Sequence, residues 1–354
     1  SLRLSDGPVL FTPSPLPPGQ YAAVEPPIVA GPSSEEFLEA LRAAASSSPA
    51  ATTHAPIATS APIGQAATAA APPPPPVVTA EELDAAARKV RKALVNILCS
   101  APAGSRVRSM SASGVIVSST GYVLTNAHVA YNLLLTDRGV SCVIRTGDPA
   151  TNAYTASLVY VPPRWVEDNA EILAQESPSG TGERDFALLA ITGRATGAHF
   201  PPSFEYVPVA HGVPAVGAPL VIASYGAQFL EFLQIQYALS PTVVFGTAKS
   251  LLTFGTNTAD VMALGGSVAA QEGSSGGGVV NHKGELVGDI TTSTITGETA
   301  SRSLSAITTA YVRRAYLTDT GRNLDVLLVT SPAEAVAEFA PLIPALESKI
   351  LEAI

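Results

Sequence analysis

Gln271-Glu272-Gly273-Ser274-Ser275-Gly276-Gly277-Gly278 is the stretch on which the reading of this chain turns, and it runs straight into the apolar Val279-Val280. A serine set among glycines on a tight turn has its hydroxyl held outward. The backbone N–H groups beside it are free to point at a developing negative charge, because residues without bulky side chains let the backbone turn that sharply. Gly/Ser-rich turns are common, so the stretch carries little alone. Two others give it weight: Thr125-Asn126-Ala127-His128 and Arg184-Asp185-Phe186-Ala187-Leu188-Leu189.

Serine is a poor nucleophile near neutral pH because its proton does not leave. It needs a base within hydrogen-bond reach, and that base needs a carboxylate to fix its tautomer and stabilise its charged form. Of the five histidines, His54 lies in a Ser/Ala/Pro-rich stretch, His199 and His211 in Pro-flanked loops, and His282 in the turn Asn281-His282-Lys283-Gly284. His128 alone follows a buried-looking strand and has small neighbours. Asp185 stands at the mouth of the apolar run Phe186–Ile191, where a carboxylate is partly buried and costly without a partner. Taken singly, each has a plainer reading: a satisfied structural histidine and a strand-end cap.

The rest of the chain sets the frame. It has 354 residues, 14% of them charged, with a formal net charge of −9. That charge and the lack of a Lys/Arg cluster argue against a nucleic-acid partner. No apolar stretch reaches membrane-spanning length, since Val213–Ala227 is broken by prolines, glycines and Ser224. Cys99 and Cys142 are not in metal-type spacing, so no metal is expected. They bracket His128 and fit either one disulfide, which would imply an oxidising compartment, or two buried thiols.

Residues 1–32 are proline-rich and read as an extended arm. Ser33-Ser34-Glu35-Glu36 is a capping box opening a short helix to about Ala45, with Phe37 and Leu41 on one face. Residues 46–78 are rich in Ser, Ala, Thr and Pro, end in Pro72–Pro76, and read as a linker. Thr79-Ala80-Glu81-Glu82 opens a second helix to about Lys92. Strands are expected at Ala93–Cys99, Val107–Ala112, Ser113–Val117 and Tyr122–Thr125. Short apolar runs separated by turn residues then continue to about residue 312, the pattern of an all-β barrel or sandwich. Leu304–Tyr316 reads as a helix, Leu324–Val329 as a strand, and Ser331-Pro332-Ala333-Glu334 as a third capping box heading a helical tail.

Ser113-Gly114-Val115-Ile116-Val117, Gly121-Tyr122-Val123-Leu124-Thr125-Asn126-Ala127-His128-Val129, Asp185-Phe186-Ala187-Leu188-Leu189 and Gly273-Ser274-Ser275-Gly276-Gly277 together resemble a trypsin-like serine protease of the bacterial HtrA/Deg type. Asn281-His282-Lys283-Gly284-Glu285-Leu286-Val287-Gly288 also fits, and the likeness covers about residues 90–312. The resemblance implies a mainly β fold, a double six-stranded β-barrel with flanking helices and a proline-rich N-terminal arm. It divides the chain into an arm and linker (1–78), a protease domain (79–317) and a helical tail (318–354). It implies a serine endopeptidase acting on protein or peptide through an acyl-enzyme, without cofactor or metal. Ser275 would be the nucleophile, His128 the base and then acid, and Asp185 the orienting carboxylate. The N–H groups of Gly273 and Ser275 would form the oxyanion hole, with Ala269, Thr291 and Ser293 on the substrate side. Ala269 at the base of the primary pocket implies small or medium apolar side chains rather than Lys or Arg, and Thr291 falls where the family places a hydroxyl near the aspartate. The resemblance also implies an extracytoplasmic setting.

Several positions depart from the family pattern. Ser274 replaces the usual Asp or Asn, so a trypsin-style zymogen switch is not expected, and Gly278 replaces a proline. Asp289 interrupts an apolar strand and should be outward-facing or paired. No Gly-Leu-Gly-Phe-like loop announces a peptide-binding PDZ domain. Pro162–Gly182, with Trp165, is an insertion that either covers the rim of the site or decorates the surface. A latent protease fold serving as an assembly component, or forming homo-oligomers, through residues 1–78 is the alternative. An α/β-hydrolase is excluded because its triad runs Ser, Asp, His.

Overall fold

The computed structural model describes residues 31–46, 78–171, 181–195, 200–293 and 302–353. Most of the expected arm, the linker with Pro72–Pro76, and His54 and His199 therefore lie outside the described residues.

Helix α1 (Ser34–Ser46) starts where its capping box places it: Glu36 N–H donates to Ser33 Oγ at 3.3 Å and Ser33 N–H to Glu36 Oε2 at 2.9 Å. It docks on the rest of the chain, with Leu38 buried and Phe37 stacked on Phe245 at 5.9 Å. Helix α2 (Ala80–Ala93) is capped by Thr79 and Glu82 in the same reciprocal way. Leu83, Ala86, Ala87, Val90 and Ala93 follow the 3.6-residue period and are all buried. Leu83 is fully buried, so truncating it to Ala would cost about 2–5 kcal/mol.

Strands β1 (Leu94–Ser100), β2 (Met110–Ile116), β3 (Tyr122–Thr125), β4 (Ser141–Thr146), β5 (Thr151–Tyr160) and β6 (Ala187–Arg194) close a six-stranded barrel in the order β1-β2-β3-β6-β5-β4. The strands expected at Val107–Ala112 and Ser113–Val117 are one strand, because β2 pairs with β1 without interruption from Met110 to Val115. Between β3 and β4 the chain makes a one-turn helix α3 (Ala127–Ala130) and a 3₁₀ stretch. Cys99 and Cys142 face each other across β1 and β4 and are joined by a disulfide.

The second half is a curled seven-stranded sheet. Strands β7 (Pro219–Ser224), β8 (Thr242–Thr247), β9 (Ser250–Leu252), β10 (Val261–Ala263), β11 (Gly278–Asn281), β12 (Leu286–Ser293) and β13 (Leu304–Thr308) run in the order β8-β7-β11-β12-β13-β10-β9. This is the trypsin-like pair of β units; the second has seven strands rather than six because Ser250–Leu252 adds an edge to β10. A main hydrophobic core fills the first barrel and reaches the second at Val221, Val243, Val280 and Ile307.

Helices α4 (Pro163–Asn169), α6 (Thr309–Thr320), α7 (Leu324–Val329), α8 (Pro332–Phe339) and α9 (Ile343–Ala353) surround this frame. Leu304–Tyr316 is not one helix. Its first residues pair with β10 and β12 as β13, and the Thr308 hydroxyl then caps α6 by accepting from Tyr311 N–H at 3.1 Å. Leu324–Val329 is a helix rather than a strand: Leu324 and Leu327 bury one face, and Arg313 pairs with Asp325 in the first turn. Within the insertion, α4 packs on α9 and Trp165 is buried, so it belongs to the core; residues 172–180 are outside the described residues. The tail lies on the first barrel. Tyr122 Oη donates to Thr330 O at 3.1 Å, and Tyr160 meets Tyr316 and Phe339 edge-on.

Candidate active site

His128 is carried where β3 ends and α3 begins. Asn126 adopts extended backbone geometry and His128 falls in the single helical turn that follows. That turn aims two donors at one carboxylate. His128 N–H donates to Asp185 Oδ1 at 2.9 Å, and its Nδ1 lies 2.7 Å from Asp185 Oδ2. Thr291 Oγ1, from β12, also donates to Asp185 Oδ2 at 2.7 Å. The contact therefore spans both halves of the fold.

Asp185 is held by the residue before it. Arg184 has φ +59, an uncommon conformation for a side chain of that size. It is over-determined by its ion pair with Asp319 and by its N–H, which donates to Tyr311 Oη at 3.1 Å, both partners lying on α6.

Burial pushes the Asp185 carboxyl up. The His128 charge, the two His128 hydrogen bonds and the Thr291 bond outweigh it and hold Asp185 below the usual carboxylate range. Desolvation pulls the His128 imidazole down, but the Asp185 charge and hydrogen bond prevail and raise it above its ordinary value. The His128 side chain keeps 28% of its surface exposed, so a group in solvent can reach it.

Ser275 arrives on the loop between β10 and β11, packed against the same strand end. Ser113 N–H donates to Ser275 O at 2.8 Å, and Thr125 Oγ1 donates to Ser113 O at 2.8 Å. Gly276, at φ +80, passes so close that a Cβ there would stand 2.0 Å from Ser113 O and 2.3 Å from Thr125 Oγ1. Ser275 itself is half-buried. Among the described residues His128, Asp185 and Thr291 are joined by hydrogen bonds, and no hydrogen bond joins His128 to the Ser275 hydroxyl.

The peptide between Glu272 and Gly273 and the peptide that follows it are each anchored through their carbonyl oxygens. Glu272 O accepts from Ala227 N–H at 2.8 Å. Across a planar trans peptide the N–H points opposite to the carbonyl, so the Gly273 N–H faces away from Ala227. Gly273 O accepts from Ser113 Oγ at 2.7 Å, and Ser113 Oγ accepts in turn from Tyr225 N–H at 2.8 Å. Gly273 has φ +89, and a Cβ there would meet Tyr225 O at 2.7 Å. The β7–β8 loop that supplies Tyr225 and Ala227 is anchored at its far end. Arg145 is buried and donates to Ile235 O at 2.9 Å, Gln236 O at 2.6 Å, Ala150 O at 2.6 Å and Asn96 Oδ1 at 3.1 Å, which ties α5 (Phe232–Ala238) to the first barrel.

Ala269 is fully buried in the second hydrophobic cluster, beside Ala270 and Ile222. Ser293 ends β12 opposite Leu304. Ser274 is buried, and its hydroxyl meets that of Ser224 at 3.2 Å, so no ionised group occupies the position before Ser275. Asp289 is not outward-facing but 1% exposed, and its partner is an amide: it accepts from Asn126 Nδ2 at 3.0 Å. The reading of the sequence placed Ser113 and Asn126 in motifs without giving either a task. Both act through single side-chain hydrogen bonds to residues distant in the chain, for which periodicity has no signal.

No curated protein matches the sequence. Among solved structures, the chain is similar to the Rv3671c protease from M. tuberculosis in its active form, at 19% identity over 75% of this chain and 96% of that one, with a TM-score of 0.43. It is similar to the inactive form of Rv3671c at 17% identity over 67% and 93%, TM-score 0.43. A serine endoprotease from Yersinia pestis is 23% identical over 68% of each chain, TM-score 0.41. The family model for the trypsin-like peptidase domain matches residues 112–288, a span that includes His128, Asp185 and Ser275. The chain belongs to the trypsin-like peptidase domain family.

Proposed function

We propose that the protein is a serine endopeptidase that cleaves peptide bonds of proteins through an acyl-enzyme. The observation that carries this is the closure of His128 onto Asp185 by two hydrogen bonds, 2.9 and 2.7 Å long, beside the loop bearing Ser275. His128 takes the Ser275 proton as the hydroxyl oxygen attacks the scissile carbonyl, and Asp185 stabilises the imidazolium that forms. The N–H groups of Gly273 and Ser275 receive the oxyanion of the tetrahedral intermediate. His128 then protonates the leaving amine, and water hydrolyses the ester by the same route.

Ala269, uncharged and set in an apolar cluster, suits small or medium apolar side chains in the primary pocket, with Ser293 on the substrate side. The Thr291 hydroxyl is engaged with Asp185, so its part is to hold the triad. The protease unit spans residues 79–317, with residues 318–354 as a buttress of the first barrel and residues 1–78 as arm and linker. The disulfide fits an extracytoplasmic setting.

Labelling with a fluorophosphonate probe tests the proposal. Labelling of the wild type that vanishes in Ser275→Ala supports it. A folded wild type that never labels would leave the latent, assembly-component reading in its place.

A further inference from the structure

Behind the His128–Asp185 pair lies a second carboxyl, that of Asp289, which the mechanism above does not use. It sits on β12 two residues before Thr291 and is 1% exposed. The side chain facing it is Asn126, itself fully buried, whose Nδ2 donates both to Asp289 Oδ2 at 3.0 Å and to the backbone O of Asp185 at 3.0 Å. A backbone carbonyl can only accept, so the amide cannot be turned over without losing the Asp185 bond. In this orientation Asn126 Oδ1 is buried and has no donor. An orphaned buried acceptor is destabilising and calls for an explanation.

A carboxylic acid supplies the missing donor. Its carbonyl oxygen accepts from an amide N–H while its hydroxyl donates to the same amide's oxygen, so acid and amide satisfy each other at two points. A carboxylate at 289 could make only the first of these bonds and would add a negative charge beside Asp185. We propose that Asp289 is a positioning residue held as a neutral carboxylic acid, which locks Asn126 by a two-point pair and through it fixes the backbone of Asp185 beneath His128.

The surroundings agree. Burial, and after it the charge of Asp185, push the Asp289 carboxyl well above the usual carboxylate range. The charged and titratable neighbours on the packed elements are otherwise engaged. His128 is bound to Asp185. On α6, the Tyr311 hydroxyl accepts from Arg184 N–H, Arg313 binds Val209 O, Ala210 O and Asp325, and Arg314 pairs with Asp260. β11 and β13 face Asp289 with Gly278 and Ile307, neither of which titrates. The sign follows. A carboxyl raised in the folded state contributes stability that is full below its unfolded pKa and is lost as pH rises through the folded one. Ionisation also breaks the acid–amide pair, so kcat falls over the same rise.

This proposal rests on the endopeptidase reading, and its test keeps the two apart. Asp289→Asn and Asp289→Leu are compared with wild type by infrared difference spectroscopy, by the pH profile of kcat and by kcat and KM per titrated active site. Asn at 289 can donate to Asn126 Oδ1 and accept from its Nδ2 but cannot ionise. The expected results are a protonated-carboxyl C=O band in wild type that is absent from both variants, and a kcat roughly tenfold lower in Asp289→Leu with KM little changed, a rise of about 1.4 kcal/mol in the barrier. Asp289→Asn recovers most of that loss and lacks the alkaline decline of the wild type. Absence of the protonated band overturns the proposal, as does an Asn variant as impaired as the Leu variant. A Leu variant that is less stable but turns over normally per site shows a structural role only and also overturns it. If Asp289→Leu does not fold, the Asn variant and the infrared band still decide. If the wild type never labels at Ser275, the endopeptidase reading fails while the infrared band separately reports the state of Asp289.

Discussion

Ser113→Ala removes one oxygen from the seam between the two β units. That oxygen accepts from Tyr225 N–H at 2.8 Å and donates to Gly273 O at 2.7 Å. Tyr225 is buried, so its N–H loses a partner it cannot replace with bulk water, which costs about 1–3 kcal/mol. The Gly273 carbonyl sits on a half-buried residue, so only the net worth of its bond is lost, about 0.5–1.5 kcal/mol. Stability should therefore fall by roughly 1.5–4.5 kcal/mol. The Ser113 N–H to Ser275 O bond, at 2.8 Å, is backbone and survives, so Ser275 stays in place. The Gly273–Ser274 peptide, which adjoins the peptide that carries the Gly273 N–H, loses its Ser113 anchor, while the peptide before Gly273 keeps its Ala227 bond. Releasing 0.5–1.5 kcal/mol from one orientation of the Gly273–Ser274 peptide shifts its population by about 2- to 13-fold, and kcat should fall by up to the same factor with KM nearly constant, because the two peptides share the Gly273 Cα. Urea unfolding gives the first quantity, and steady-state rates normalised by burst titration give the second. Unchanged stability with a kcat loss beyond two decades would contradict this role, because Ser113 would then act on the reaction rather than on the loops. Lost stability with an unchanged kcat would refute it from the other side, since the Ala227 bond alone would hold the peptide.

Asp185→Asn should lower kcat by about 10⁴-fold, as loss of the orienting carboxylate does in such triads. The acid limb of kcat/KM in wild type should lie above the ordinary imidazole value, because Asp185 raises His128, and a pH–rate profile of Thr291→Val should show that limb displaced. Asp185 itself is lowered in the folded state, so its contribution to stability is present above its unfolded pKa and lost as pH falls; denaturation of Asp185→Asn across acidic pH should lack that loss. Gly276→Ala drives a Cβ to 2.0 Å from Ser113 O at φ +80 and should cost well over the roughly 1 kcal/mol of an ordinary substitution, read by thermal unfolding. The disulfide closes 43 residues of chain around His128, and Cys99→Ser with Cys142→Ser should cost roughly 4 kcal/mol of unfolding free energy in the chain-entropy account.

Local signals were legible wherever the chemistry is local. Ser33, Thr79 and Ser331 cap the helices that their i+3 glutamates announce. Tyr122–Thr125 is the expected strand, and β2 joins two that were read separately. The misread segments are those where partners far along the chain override propensity. Leu304–Thr308 is drawn into a strand by β10 and β12 on either side, while Leu324–Val329 becomes a helix whose i, i+3 leucines join the main hydrophobic core beside α6. The sequence leaves Trp165 as either a rim cover or surface decoration, because α9, which packs on its helix, lies about 180 positions on.

By itself the sequence determined that glycine turns, small residues and three spaced polar side chains occur in an order suited to nucleophilic chemistry, and that apolar runs of strand length dominate. Those properties depend on residue type and spacing along the chain. The family resemblance led to the meeting of His128 and Thr291 with Asp185, but the tertiary structure alone decided that Ser113 binds both Tyr225 and Gly273 and that Asp289 is buried against Asn126. The reason is physical. A buried polar group must be satisfied by whatever atoms the packed barrels bring within about 3 Å, and which atoms those are is set by strand register and closure, not by neighbours in sequence.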